Sequence, residues 1–283
     1  MKKTFLIALI IIAVLIAVLI IWFIIPYSPL KAEFKKEKNL LTSKSTAPTE
    51  YFSKEVLADK PQLLKNFIAY CGLMGKPMMS SSVTKHSDVD FLMNPVSPTI
   101  KIDYTQVNVA NSPERLAFID TKMAGILPFQ GLDDYINGKA RMQGVIGKLF
   151  TIFNVQNQEM NQSSLVTVLA EAIVCPSFFM QKNIIWKEID NTHLQATITA
   201  YETTVSGIYE FDANGAITSF YSKDRYKENG EKTKQHDWVA RCGKYKEVGG
   251  INMPTVFQGA WVLPDGTEEL YFDCDKVDVA FYY

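Results

Sequence analysis

Glu171 is the charged residue with most to explain. It is the only acidic or basic side chain between Met160 and Gln181, and its neighbours within one helical turn are apolar. A carboxylate in such a run has three chemical outlets. It can lie on a solvent-facing strip of a helix, it can be buried against an arginine, or it can serve a hydrolase as an acid of raised pKa. No second carboxylate stands at a spacing that suits the third, so no catalytic residue is assigned. For the second, the candidate partners are Arg225, in Asp224-Arg225-Tyr226, and Arg241, three residues after Trp238. A guanidinium is planar and always charged, which makes it the usual partner of a buried carboxylate.

Other chemistry is thinly represented. His86, His193 and His236 are far apart and make no His-x-x-x-His pair, so no metal and no cofactor is expected. The cysteines stand at 71, 175, 242 and 274 without a Cys-x-x-Cys. Cys71 and Cys175 fall on apolar helix faces and read as small hydrophobes, whereas Cys242 and Cys274 fall in late strands where a disulfide can form. Gly72-Leu-Met-Gly-Lys-Pro lacks the spacing of a phosphate loop, and Pro77 stands where Ser or Thr is needed. There is no Gly-x-Ser-x-Gly elbow. The remaining signal is distributed and apolar. Leu165, Leu169, Phe178, Phe179, Trp186, Trp238 and Trp261 are either core or the wall of a pocket between sheet and helix that holds a lipid-like ligand.

The elements that must position these residues are mostly strands. Leu194, Ala196, Ile198 and Ala200 alternate with polar residues, the mark of a half-buried strand. Segments 205–211 and 216–222 flank Asp-Ala-Asn-Gly, and 238–248 and 251–263 flank Gly-Gly, both hairpin signals. Ile100, Ile102 and Tyr104 share a phase that Val107 and Val109 break, which predicts a bulge near Thr105. Gly144 and Gly147 would let one long strand bend. Two helices interrupt the strands. One runs from Pro61 to Cys71 with Leu64, Phe67 and Ile68 on one face. The other is capped by Asn161 or Ser163, passes through Leu165, Val168, Leu169 and Ala172, and ends at Pro176. This second helix is apolar nearly all round and calls for burial on more than one side.

Phe5 to Ile25 is an unbroken apolar run of about 31 Å as a helix, close to the thickness of a bilayer's hydrocarbon core. Trp22 and Tyr27 suit the interfacial aromatic belt, and the run ends without a small-x-small cleavage site. An uncleaved, single-pass anchor is expected, with the membrane as its partner. Lys2 and Lys3 favour a cytoplasmic N-terminus, which would put the body outside the cytoplasm. Residues 1–50 hold seven Lys and three Glu, against 22 basic and 27 acidic groups in the rest. A mildly acidic body gives nucleic acid nothing to bind.

The succession Asn66–Pro77, Gln158–Pro176, Ile185-Trp186, Val205-Ser206-Gly207, Asp224-Arg225-Tyr226 and Trp238 resembles a domain-of-unknown-function family of bacterial and archaeal proteins with an N-terminal membrane segment. That resemblance implies no activity, cofactor or catalytic residue. The overall pattern also resembles the lipoprotein-carrier type of half-barrel, which implies architecture alone. The expected fold is α+β, predominantly an antiparallel meander forming a strongly curved sheet or half-barrel, with helices packed on its concave face behind an N-terminal transmembrane helix. Residues 1–27 are expected to be the anchor, 28–50 a flexible tether, and 51–283 a single antiparallel-sheet domain. The expected function is non-enzymatic binding of a lipid-like or other apolar ligand near the membrane. The alternatives are a structural or protein-interaction domain without a small ligand, or a hydrolase using Glu171.

Overall fold

The computed structural model describes residues 2–45, 49–93, 97–229 and 232–283. The apolar run forms α1 (Lys2–Ile24), exposed along its length and both long and apolar enough to cross a membrane. The expected tether is largely a second helix, α2 (Pro29–Lys44), while its residues 46–48 lie outside the described residues. Ser28 caps α2, its Oγ accepting from Lys31 N at 3.2 Å, and Pro29 occupies the first turn, where it costs no hydrogen bond. Leu30, Phe34 and Leu41 then share a face at spacings of four and seven, and all three are buried. This stripe is short and set among lysines, so composition conceals it.

The sheet begins with β1 (Ser81–Phe91), β2 (Ile100–Val109), β3 (Arg115–Met123), β4 (Leu127–Ile136), β5 (Lys139–Ile146) and β6 (Phe150–Val155), after the short helix α3 (Gln62–Tyr70). Next comes α4 (Gln158–Glu171), capped by Asn157 rather than by Asn161 or Ser163, and two turns of 3-10 helix ending at Met180. The chain then returns through β7 (Ile184–Glu188), β8 (His193–Ala200), β9 (Thr203–Phe211), β10 (Ile217–Asn229) and β11 (Lys232–Gly243). A small separate hairpin of β12 (Lys246–Val248) and β13 (Ile251–Met253) precedes β14 (Val256–Val262), β15 (Glu268–Cys274) and β16 (Val277–Tyr282).

All pairings are antiparallel, in the order β6-β5-β4-β3-β2-β1-β15-β14-β11-β10-β9-β8-β7, with β16 also on β1. The sheet is curved and open, with β6 and β7 as its edges. These two edges are consecutive in sequence apart from α4 and the 3-10 turns. The chain must therefore cross the whole sheet between them, and it crosses on the concave face.

Two expected details differ. Gly144 and Gly147 do not bend one strand. Gly147 turns the chain between β5 and β6, while Gly144 lets the Phe153 ring lie across it, where an added Cβ would come within 2.3 Å. The bulge expected in β2 lies instead in β1, between His86 and Val89. The phase change in β2 has another cause, because both faces of this half of the sheet are covered. Val107 and Val109 face outward, joining Val83, Leu116, Phe118, Leu132 and Val145 in a cluster with Leu30, Phe34 and Leu41 of α2. Phe34 stacks on Phe118 with ring centres 5.0 Å apart. Ionic contacts rim the cluster, Lys31 to Asp120 at 2.8 Å and Arg141 to both Glu33 and Asp134 at 2.8 Å.

Removing residues 1–27 is expected to leave a soluble, folded body with more strand than helix by circular dichroism. Removing residues 1–45 should uncover the outer apolar cluster, so that the product binds an apolar dye or aggregates. Equal solubility and thermal stability of the two truncations would show that α2 is dispensable.

Candidate functional site

The polar residues of β1 to β4 that alternate with the α2-facing valines and leucines point inward. Ser82, Thr84, His86, Gln106, Asn108 and Arg115 are all buried. Opposite them, on α4, Thr167, Ala170 and Glu171 share a face at spacings of three and four. Between the two lies a cavity of about 170 Å³ whose wall includes His86, Gln106 and Arg115 from the strands, Thr167, Ala170 and Glu171 from α4, and the apolar side chains of Phe91, Ile119, Trp238, Phe257 and Phe272. The strip of α4 that carries Glu171 thus faces this cavity.

Glu171 is paired with Arg115, an arginine not among the expected partners. Arg115 is 1% exposed and Glu171 13%. Arg115 Nε donates to Glu171 Oε2 at 2.8 Å and Nη2 to Oε1 at 3.0 Å, a two-point fork. Nη2 also donates to the Tyr104 hydroxyl at 2.8 Å, and Nη1 lies 2.8 Å from Asp133 Oδ2. Asn108 Nδ2 donates to Glu171 Oε2 at 2.8 Å and is itself held by Gln106 at 2.7 Å. Burial works against charge on Arg115, but Asp133 and Glu171 outweigh it and hold its pKa above the ordinary value. With both oxygens so engaged, Glu171 anchors the end of α4. The expected partners border the same cavity but do not pair with Glu171: Arg241 pairs with Glu268, and Arg225 meets no carboxylate of the described residues within ion-pair distance.

Arg225 lies against aromatic rings, its guanidinium carbon 4.3 Å from the ring centre of Trp238 and 5.4 Å from that of Trp261. Its Nη1 donates to the Tyr271 hydroxyl at 3.1 Å, and its buried Nε has no partner. Tyr271 also accepts from Trp238 Nε1 at 3.0 Å. Its two lone pairs are thereby used and its own proton is left to give. His86 is enclosed by Tyr104, Phe257 and Phe272, and neither ring nitrogen has a hydrogen-bond partner. Burial pulls its pKa down to about 4, so it is neutral near pH 7.

Three wall residues owe their aim to bulges. One extra residue sits between His86 and Val89 in β1, one between Ser222 and Arg225 in β10, and Tyr271 is itself the extra residue in β15. A bulge re-aims the side chains beside it, and all three border the same cavity.

Of the expected pocket residues, Trp238 lines the cavity and Trp261 stacks on Tyr271, 6.1 Å away between ring centres. Leu165, Leu169, Phe178 and Phe179 do not line it. They are buried in the main core with α3 and the strands β8 to β10, Leu165 and Leu169 from the apolar side of α4 and Phe178 and Phe179 from the 3-10 turn after it. Trp186 lies beside Phe179 and borders a separate surface groove with Pro61 and Glu188. His86, Tyr104, Arg115, Asp133 and Tyr271 were missed.

The disulfide does not form. Cys242 and Cys274 both register opposite Phe257, one from each side, which separates them by two strand spacings. That is about 9.6 Å, well beyond the reach of a disulfide. Burial pushes the thiols of Cys175 and Cys242 up to about 12. No cluster of three His, Cys, Asp or Glu side chains that could hold a metal ion occurs among the described residues.

The chain belongs to the Family of unknown function (DUF6544), which matches residues 50–274, as the motif succession led us to expect. No curated protein matches it. Among solved structures it is similar to a LolA-superfamily protein from Nitrosomonas europaea, at 11% identity over 77% of this chain and 91% of that one, with a TM-score of 0.39.

Replacing Arg115 with Met should destabilise the protein by about 3–5 kcal/mol, because it orphans two carboxylates. Adding Glu171→Leu should recover part of that loss, whereas Glu171→Leu should be additive with Arg225→Met or Arg241→Met. Chemical denaturation of the single and double variants measures the coupling. His86 yields a pH prediction. Its folded pKa of about 4 lies below the unfolded value of about 6.5. Its neutral form therefore contributes stability fully above pH 6.5, and that stability fades as pH falls towards 4. Between pH 7.5 and 5 the wild type should lose about 2 kcal/mol more than a His86→Phe variant.

Proposed function

We propose that this chain is a membrane-anchored, non-enzymatic domain that binds a lipid-like ligand in the cavity between α4 and the concave face. Residues 1–27 act as a single-pass anchor. The rest forms one domain outside the cytoplasm, consistent with Lys2 and Lys3 before the apolar run. The observation that carries the reading is the cavity itself, apolar along Phe91, Ile119, Phe257 and Phe272 and polar at Arg225 and Tyr271.

Its size limits the ligand. At about 170 Å³ the cavity is close to an engineered 150 Å³ cavity that binds benzene, and smaller than the 300–1,000 Å³ of most ligand sites. It suits some six carbons of a ligand, not a whole acyl chain. The unpartnered Nε of Arg225 and the free proton of Tyr271 supply two donors for an anionic head. The small volume also favours the second reading, an interaction domain with no small ligand.

Calorimetry of the full chain in nanodiscs against hexanoate and hexanol separates the two. Both should bind, hexanoate more tightly. Arg225→Gln should weaken hexanoate by about 10-fold or more, the worth of a charged hydrogen bond, and leave hexanol unchanged. Ala170→Trp should block both without lowering thermal stability. If neither probe binds the wild type, the domain has no ligand of this class.

A further inference from the structure

We infer that the turn joining β5 to β6 is seated in the membrane interface, giving the body a second contact with the bilayer. The inference rests on the reading of α1 as a membrane-spanning helix. The turn is bonded to the end of that helix in both directions. Trp22 Nε1 donates to Gly147 O at 2.9 Å. Lys148 Nζ donates to the carbonyls of Trp22, Phe23 and Ile25 at 3.0, 3.1 and 2.6 Å. Two of those carbonyls belong to the last turn of α1 and the third to the residue that follows it, where intrahelical partners run out and the helix dipole is negative, so a lysine is a fitting cap. Lys148 is only 7% exposed and takes a left-handed φ of 67° to make these bonds.

The bonds fix a depth. Trp22 stands two residues before the end of α1, about 3 Å along the axis, where tryptophans occupy the membrane–water boundary. Gly147 is therefore at that level, and what adjoins it is apolar and exposed. Leu149, Phe150 and Ile152 follow in the turn and in the edge strand β6, with Phe150 69% exposed. Ile126, 73% exposed, lies in the adjoining turn from β3 to β4, beside Pro128, whose carbonyl accepts from Gly147 N at 2.8 Å. Four large apolar side chains at one corner are each more than half exposed, and the bilayer that receives α1 begins at that corner. The body is thereby held against the membrane in one orientation, with its β6 edge down.

Vesicles carrying the full chain test this with an environment-sensitive dye on Phe150→Cys, a second on Leu149→Cys, and a control on Asp265→Cys in the turn from β14 to β15. Lipids bearing a nitroxide near the headgroup should quench the dyes at 149 and 150 at least threefold more than the dye at 265. Lys148→Met should reduce that difference by half or more while the chain stays in the membrane. Equal, solvent-like emission at all three sites in a chain that resists alkaline extraction would overturn the inference and leave the anchor reading intact. A chain that alkali releases from the vesicles would overturn the anchor reading itself, and the inference with it.

Discussion

The fork between Arg115 and Glu171 is the interaction on which the rest of the interior depends. α4 is the crossing from one edge of an open sheet to the other, and a crossing helix needs a tie to each half. On the apolar half the tie is packing, reinforced by the Tyr209 hydroxyl donating to Leu169 O at 2.5 Å. On the other half α4 presents Thr167, Ala170 and Glu171, which offer little to pack, and the tie is ionic. A buried arginine is tolerable only when its charge is compensated. Glu171 and Tyr104 accept from Nε and Nη2 of Arg115, and the Asp133 carboxylate lies 2.8 Å from Nη1 as a second counter-charge. The cavity is the space left where α4 stands off the polar half on this pair.

That division explains what could be read in the sequence. The antiparallel meander was legible because alternation and tight turns are local signals, and the pair Leu194–Ala200 and Val205–Phe211 fall in adjacent strands as their patterns require. The need of α4 for burial was legible from the absence of a polar face. Its cap was read a turn too late, because Asn157 lies outside the apolar pattern that drew attention to Asn161 and Ser163. The helix α2 was hidden for the opposite reason. Its three buried side chains stand among charges that find partners only in three dimensions, Arg141 and Asp120, far along the chain.

The site was the least legible part, and the reason is physical. Alternation reports that a strand has two unlike faces, and the usual rule sends the apolar face inward. In β1 to β4 the apolar face meets α2 on the outside, and the polar face, with Ser82, His86, Gln106, Asn108 and Arg115, turns to the interior. The local pattern around Arg115 therefore does not announce it as an interior residue, whereas the expected partners of Glu171, Arg225 and Arg241, lie in the second half of the sheet. The bulges add a second obstacle. They bring His86, Arg225 and Tyr271 to one cavity, and no local pattern announces where an extra residue will fall.

The two covered faces meet at β4. Asp133 and Asp134 are consecutive, so they point to opposite sides of the sheet. Asp133 reaches inward to Arg115, and through it to Glu171 and the end of α4. Asp134 reaches outward to Arg141, which also holds Glu33 of α2. Burial lifts the Asp134 carboxyl above its usual pKa, and the Arg141 guanidinium counters that lift. Each carboxylate closes an ionic cluster that fixes one helix, and the peptide unit between them is shared. α2 in turn follows α1 with only residues 25–28 between them, while Lys148 ties the far end of β5 to the same helix end. From α1 to the cavity wall the links are short and ionic or hydrogen-bonded. The cavity is therefore held in a set position relative to the end of α1, which a body swinging on a flexible tether would not permit.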